Sequence, residues 1–195
     1  MFGSTLGLGV QNPARIFSRL GVDMGPRQKT GSPRKSIAQK QLELRGKIWP
    51  DIDETHLWLR AKRDGFITIP RCVPIIIKIM DDMSSGKPLG ATYIDLWCRS
   101  FDECFVVLNK QQEMAYSSGF TGQRSLDAWR GRMKILNELG FINVKSGPTG
   151  ELSYAIILNP YLIIKRHREI TKNVSDANYN ALLARASEIG ANDLD

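Results

Sequence analysis

The sequence predicts a mainly α fold with one small β-hairpin, an α+β arrangement between a basic amino-terminal arm and a carboxyl-terminal helix. Three observations predict it. Apolar residues recur at spacings of three and four over most of the chain after Pro70, which is helical periodicity. Two β-favouring runs, Phe141–Val144 and Leu152–Leu158, bracket the Gly/Pro-containing segment Lys145–Glu151. The charge is segregated: residues 1–49 hold nine Lys/Arg against two acids, and residues 50–195 hold 18 of each sign, so the arm carries the whole net +7.

Residues 1–35 are rich in Gly, Pro, Ser and Arg, with breakers at Gly25-Pro26 and Gly31-Ser-Pro33. They are expected to form a flexible arm, with at most a turn of helix around Pro13–Leu20. Residues 36–65 read as a short helical linker: Ser36 is an N-cap, the helix runs to about Ile48, and Trp49-Pro50 ends it. Phe66–Ile69 alternates weakly and is expected to be a strand. The apolar positions 73, 76, 77, 80 and 83 predict a helix to Met83, beginning near Pro70–Val73 because Pro74 fits only a first turn. Ala91–Asp102 predicts a second helix with Tyr93, Ile94, Trp97, Cys98 and Phe101 on a wide apolar face. Both helices are too apolar to stand alone and should form a floor under the segment that follows.

Cys104–Leu108 is β-branched and aromatic, a short strand. Asn109, with Gln112 three residues on, predicts a capping box for a helix to about Ser118. A further helix begins near Thr121–Arg124 and runs to Leu139, with Gly140 at its C′ position. The two hairpin strands come next. Asn159-Pro160 then reads as N-cap and N1 of a helix to about Lys172, and Ser175-Asp176 starts a last helix to about Ile189 before an acidic tail.

Composition excludes several classes. The chain is 42 % apolar and 24 % charged, ordinary for a soluble globular protein, and its longest apolar run, Val73–Ile77, is far too short to span a bilayer. Neither a signal peptide nor an anchor is read at the amino terminus. Cys72, Cys98 and Cys104 are odd in number and never spaced Cys-x-x-Cys. They read as buried or half-buried free thiols in a reducing, cytoplasmic setting. Gly3–Gly9 lacks the Gly-Lys-Ser/Thr ending of a phosphate loop, and the acid pairs Asp51/Asp53–Glu54 and Asp81-Asp82 have no partners to complete a metal site. His167, in Lys165-Arg-His-Arg168, reads as basic helical surface. No cofactor and no catalytic constellation is expected.

The ordered set of helix, helix, strand, helix, turn, helix, strand, hairpin tip, strand, helix resembles the winged helix-turn-helix superfamily. Ala115 and Gly119 sit four apart, where the first packs at the crossing of the two helices and the second permits the tight turn. Leu126, Trp129, Met133 and Leu136 form the buried stripe of the second helix. Glu138-Leu-Gly-Phe-Ile142, directly before a strand, is a habit of the superfamily. The resemblance implies a winged-helix domain over residues 66–172, followed by a carboxyl-terminal helix and tail over 173–195. More loosely, Leu158-Asn-Pro-Tyr-Leu-Ile-Ile-Lys165 resembles replication-initiation and control proteins of bacterial plasmids and other mobile elements.

What the resemblance implies is sequence-specific binding of double-stranded DNA. The polar face of the second helix then holds the readers: Gln123, Asp127, Arg130, Lys134 and Asn137 recur every three or four residues, with Arg124 beside them near the helix start. Arginine takes two acceptors on guanine, and glutamine pairs with adenine. Arg132 and Lys134 are expected at phosphates, which position without specifying. Asp127 faces cytosine or holds an arginine. Lys145 and Thr149 occupy the hairpin tip, and Arg34 and Lys35 of the arm track the backbone. Tyr179, Leu182, Leu183, Ala186 and Ile189 line one side of the last helix, suited either to a homodimer seam or to packing on its own domain. The rival reading is a winged-helix adaptor that binds protein, with the arm contacting nucleic acid, membrane or an acidic partner.

Overall fold

Local capping chemistry starts the described chain. In the computed structural model, which describes residues 36–101 and 103–194, Ser36 Oγ accepts from the Gln39 N–H at 3.2 Å, while Gln39 Oε1 accepts from the Ser36 N–H at 2.9 Å. This reciprocal box opens helix α1 (Ile37–Ile48). The arm 1–35, with Arg34 and Lys35, lies outside the described residues. The chain divides into two compact units between Leu57 and Trp58. In the first, Arg45 reaches Glu54 at 2.7 Å and holds the 3₁₀ turn Glu54–His56 to α1, none of whose residues is buried.

The second unit is mixed α and β. Its helices are α2 (Val73–Met83), α3 (Gly90–Arg99), α4 (Gln111–Ser117), α5 (Ser125–Glu138), α6 (Pro160–Arg166) and α7 (Asp176–Ile189). Its three strands, β1 (Phe105–Val107), β2 (Ile142–Gly147) and β3 (Gly150–Ile157), form one antiparallel sheet in the order β1-β3-β2. Pro74 sits in the first turn of α2, where its missing N–H costs nothing. Ile76, Ile79 and Met80 of α2, Tyr93 and Leu96 of α3, Trp129, Met133 and Leu136 of α5, and Phe141 share one core and are at most 1 % exposed. Alternation along β3 buries Ser153, Ala155 and Ile157 and leaves Ile156 facing out.

α4 and α5 end alike. Gly119 N–H bonds Tyr116 O and Phe120 N–H bonds Ala115 O; Gly140 N–H bonds Asn137 O and Phe141 N–H bonds Leu136 O. Both glycines have positive φ, +86° and +81°, as this helix stop requires. Ala115 is fully buried where α4 meets α5. Arg99, paired with Asp95 of its own helix at 2.9 Å, ties α3 to α4 through Glu113 at 3.1 Å and the Ser117 hydroxyl at 3.0 Å.

Several expectations change. Residues 66–69 form no strand; Phe66, Ile67 and Thr68 line a cleft with Trp97 and Phe101 instead of pairing. α4 has no capping box: its N-cap is Lys110, and Gln112 donates to Ser125 Oγ at 3.2 Å. The hairpin tip is two residues, Pro148-Thr149, because pairing runs on to Gly147–Gly150 across a bulge after Lys145. The helix begun by Asn159 and Pro160 gives way to a π-helical turn, His167–Thr171, closed by Lys172 at φ +52°. His167 is not simply basic surface. Its Nε2 donates to Leu139 O at 2.7 Å, taking up a free carbonyl at the end of α5, and its ring stacks on Phe141. Cys98 is exposed, whereas Cys72 is buried and Cys104 half-buried; all three are free.

Most of the stripe offered for a dimer is used within the domain, although Leu183 stays exposed. α7 packs on α2, burying Leu182 and Ala186, and Asn178 Nδ2 donates to Asp82 at 2.7 Å. Lys78 and Asn178 hold the Asp82 carboxyl below its ordinary value. No helix among the described residues is long and apolar enough to cross a membrane.

Candidate nucleic-acid interface

α5 buries one side and exposes the other, and the hairpin closes beside its exposed side. Between them lies a cleft of about 510 Å³ lined by Gln111, Asp127, Arg130, Lys134, Thr149 and Glu151 among others. Four of the residues expected from sequence, Asp127, Arg130, Lys134 and Thr149, therefore meet at one place although they span two elements.

The cleft is built rather than incidental. Gln111 is 9 % exposed; its Nε2 donates to the carbonyl of Leu152 in β3 at 2.8 Å, and its Oε1 accepts from Arg130 Nε at 3.0 Å. One amide thus links α4, the hairpin and α5. Thr149 is fixed at the tip: its N–H donates to Ser153 Oγ at 3.0 Å and the two hydroxyls lie 2.8 Å apart. Ser153, 1 % exposed, also donates to Gly150 O. Asp127 lies in the first turn of α5, where the helix dipole favours a carboxylate. Among the described residues, Arg130, Lys134, Asp127 and Glu151 form no ion pair, so two cations and two carboxylates face the cleft unneutralised.

The other expected residues lie elsewhere. Gln123 and Arg124 are exposed at the head of α5, where Arg124 is the N-cap without a side-chain bond. Lys145 is exposed on β2 opposite Tyr154 and does not line the cleft. Asn137 is half-buried, and its Oδ1 accepts from the Val144 N–H at 3.1 Å, a tie between α5 and β2. Arg132 is engaged partly within the fold: its Nε donates to Pro88 O at 3.0 Å and its guanidinium lies 5.6 Å from the Phe120 ring centre. Arg34 and Lys35 lie outside the described residues.

Gln111, Glu151 and Ser153 escaped the reading of the sequence. Gln111 left a trace there. It shares the buried register of α4 with Met114 and Ala115, and a buried amide there calls for hydrogen-bond partners. Glu151 and Ser153 have no such mark, since hairpin register alone decides where they face. Among the described residues no group of three or more His, Cys, Asp or Glu is placed to hold a metal ion. No family model, no curated protein and no solved structure matches the chain.

Proposed function

We propose that this protein is a winged-helix protein that binds double-stranded DNA in a sequence-specific manner. In this reading α5 enters the major groove and the β2–β3 hairpin acts as the wing. It acts without catalysis, in the cytoplasm, in transcriptional control or in replication or maintenance of a bacterial mobile element. The observation that carries it is the order α3-β1-α4-α5-β2-β3 with a β1-β3-β2 sheet, which leaves the polar face of α5 exposed beside a tight hairpin. A helix whose opposite side is anchored by Trp129, Met133 and Leu136 can present Arg130 and Lys134 without losing its own packing. The cations of residues 1–49 supply phosphate contacts and counterion release, offsetting a neutral body. With Leu182 and Ala186 buried in their own domain, a monomer is the favoured state over a dimer through α7.

Binding to random duplex DNA, followed by fluorescence anisotropy from low to moderate salt, tests the reading. The full chain binds at low salt. Arg124→Ala with Arg130→Ala weakens binding by at least about tenfold and lowers the salt slope by roughly 1. Absence of binding at low salt, or a double variant indistinguishable from the parent, ends it. One observation favours the adaptor reading, in which the cleft takes a protein: Asp127 and Glu151 would repel phosphate. Loss of all binding on deleting residues 1–35, with the double variant silent, is the outcome that selects the adaptor.

A further inference from the structure

Arg130 is exposed, yet one of its nitrogens is already committed. Its Nε donates to Gln111 Oε1 at 3.0 Å, and its two terminal nitrogens have no partner among the described residues. Gln111 cannot follow a moving arginine, because its own amide is bound to Leu152 O at 2.8 Å and it is 9 % exposed. A guanidinium held at Nε keeps its orientation and presents the parallel N–H pair of its terminal amines. That pair matches the O6 and N7 acceptors on the major-groove edge of guanine. A phosphate contact needs no such aim, since charge alone suffices.

We propose that Arg130 reads one guanine of the target site and that Gln111 is the positioning residue that aims it, with the hairpin backbone at Leu152 as the fixed end of the relay. The inference rests on the DNA-binding reading and adds the base at one position and the residue that sets it. Coupling follows from the same bonds. Because Gln111 is held by β3, a shift of the hairpin moves the reader on α5. Wing engagement and base reading are then one event rather than two.

The test is selection of bound duplexes from a random pool by the full chain and by variants, followed by affinity for the selected site against a site with that guanine replaced. The parent selects guanine at one position, and Arg130→Ala erases that preference alone, reducing discrimination by about 5- to 150-fold. Gln111→Met keeps the volume but removes both hydrogen bonds. It lowers discrimination at that same position by roughly tenfold, while affinity for unrelated duplex stays within about twofold. Gln111→Glu keeps an acceptor for Arg130 and restores part of the preference; Gln111→Leu, which also lacks both hydrogen bonds, decides should Gln111→Met fail to fold. A uniform loss of affinity in Arg130→Ala, with every base preference intact, makes Arg130 a phosphate contact and overturns the proposal while DNA binding stands. Unchanged discrimination in Gln111→Met or Gln111→Leu overturns the positioning role. A parent chain that recovers no duplex overturns the DNA-binding reading itself.

Discussion

α1 and α5 are of similar length, 12 and 14 residues, and are held by opposite means. α1 has a complete capping box and buries nothing; Ile37, Leu44 and Ile48 share one stripe and are 68, 55 and 54 % exposed. α5 has no side-chain cap at its start, yet Trp129, Met133 and Leu136 are wholly buried. Capping chemistry can place a helix start, but an isolated helix of this length is marginal in water. Packing is what makes α5 rigid enough to aim a side chain. The comparison thus separates a helix specified locally from one stabilised by the rest of its domain.

The largest break comes from the packed helix. Trp129→Ala empties the centre of the core and costs about 3–5 kcal/mol, read as a lower urea midpoint of the body, with amide exchange in α1 unchanged. Alkaline pH attacks the same core through Tyr93. Burial pushes its hydroxyl up to about 12, with the neighbouring Trp97 indole offsetting part of the rise. The unfolded chain ionises near 10, so stability is full below that pH and falls between about 10 and 12, by at most about 2–3 kcal/mol. Unfolding free energies across that range, compared with Tyr93→Phe, isolate the loss; an identical decline in both proteins refutes it.

Gly119→Ala should cost about 1–2 kcal/mol from the left-handed backbone alone, since an added Cβ meets nothing within 4 Å. A denaturation midpoint equal to the parent's would mean the turn relaxes freely. The smallest effect falls on α1. Ser36→Ala removes the cap and costs that helix about 1 kcal/mol, seen as faster exchange at the Gln39 amide, while the unfolding midpoint of the body does not move. A shift of that midpoint would show that α1 is not held locally after all.

Helix starts and stops were legible in the sequence. Ser36, Asn159 and Ser175 cap where their residue types predict, and Gly119 and Gly140 end their helices. The buried stripe of α5 was legible as well, because the 3.6-residue period maps directly onto one face. Asn109 with Gln112 shows the limit: the pattern of a capping box is present, but Gln112 is drawn to Ser125, which belongs to the next helix. The spacing likewise makes the polar face of α5 one surface. In the fold it divides into Asp127, Arg130 and Lys134 in the cleft, Arg124 at the helix head, and Asn137 tied to β2.

By itself, then, the sequence determined the kind and order of most elements and the segregation of charge into the first 49 residues, because caps, turns and periodicity act over four residues or fewer. Tertiary structure alone decided that β1 pairs with β3, that residues 66–69 stay unpaired and that Arg132 packs on Phe120. It also decided that Gln111 joins Arg130 to Leu152, partners 19 and 41 residues away. Such contacts depend on which surfaces the chain brings together, and hydrogen-bond partners at that separation leave no period or spacing in the residues between them.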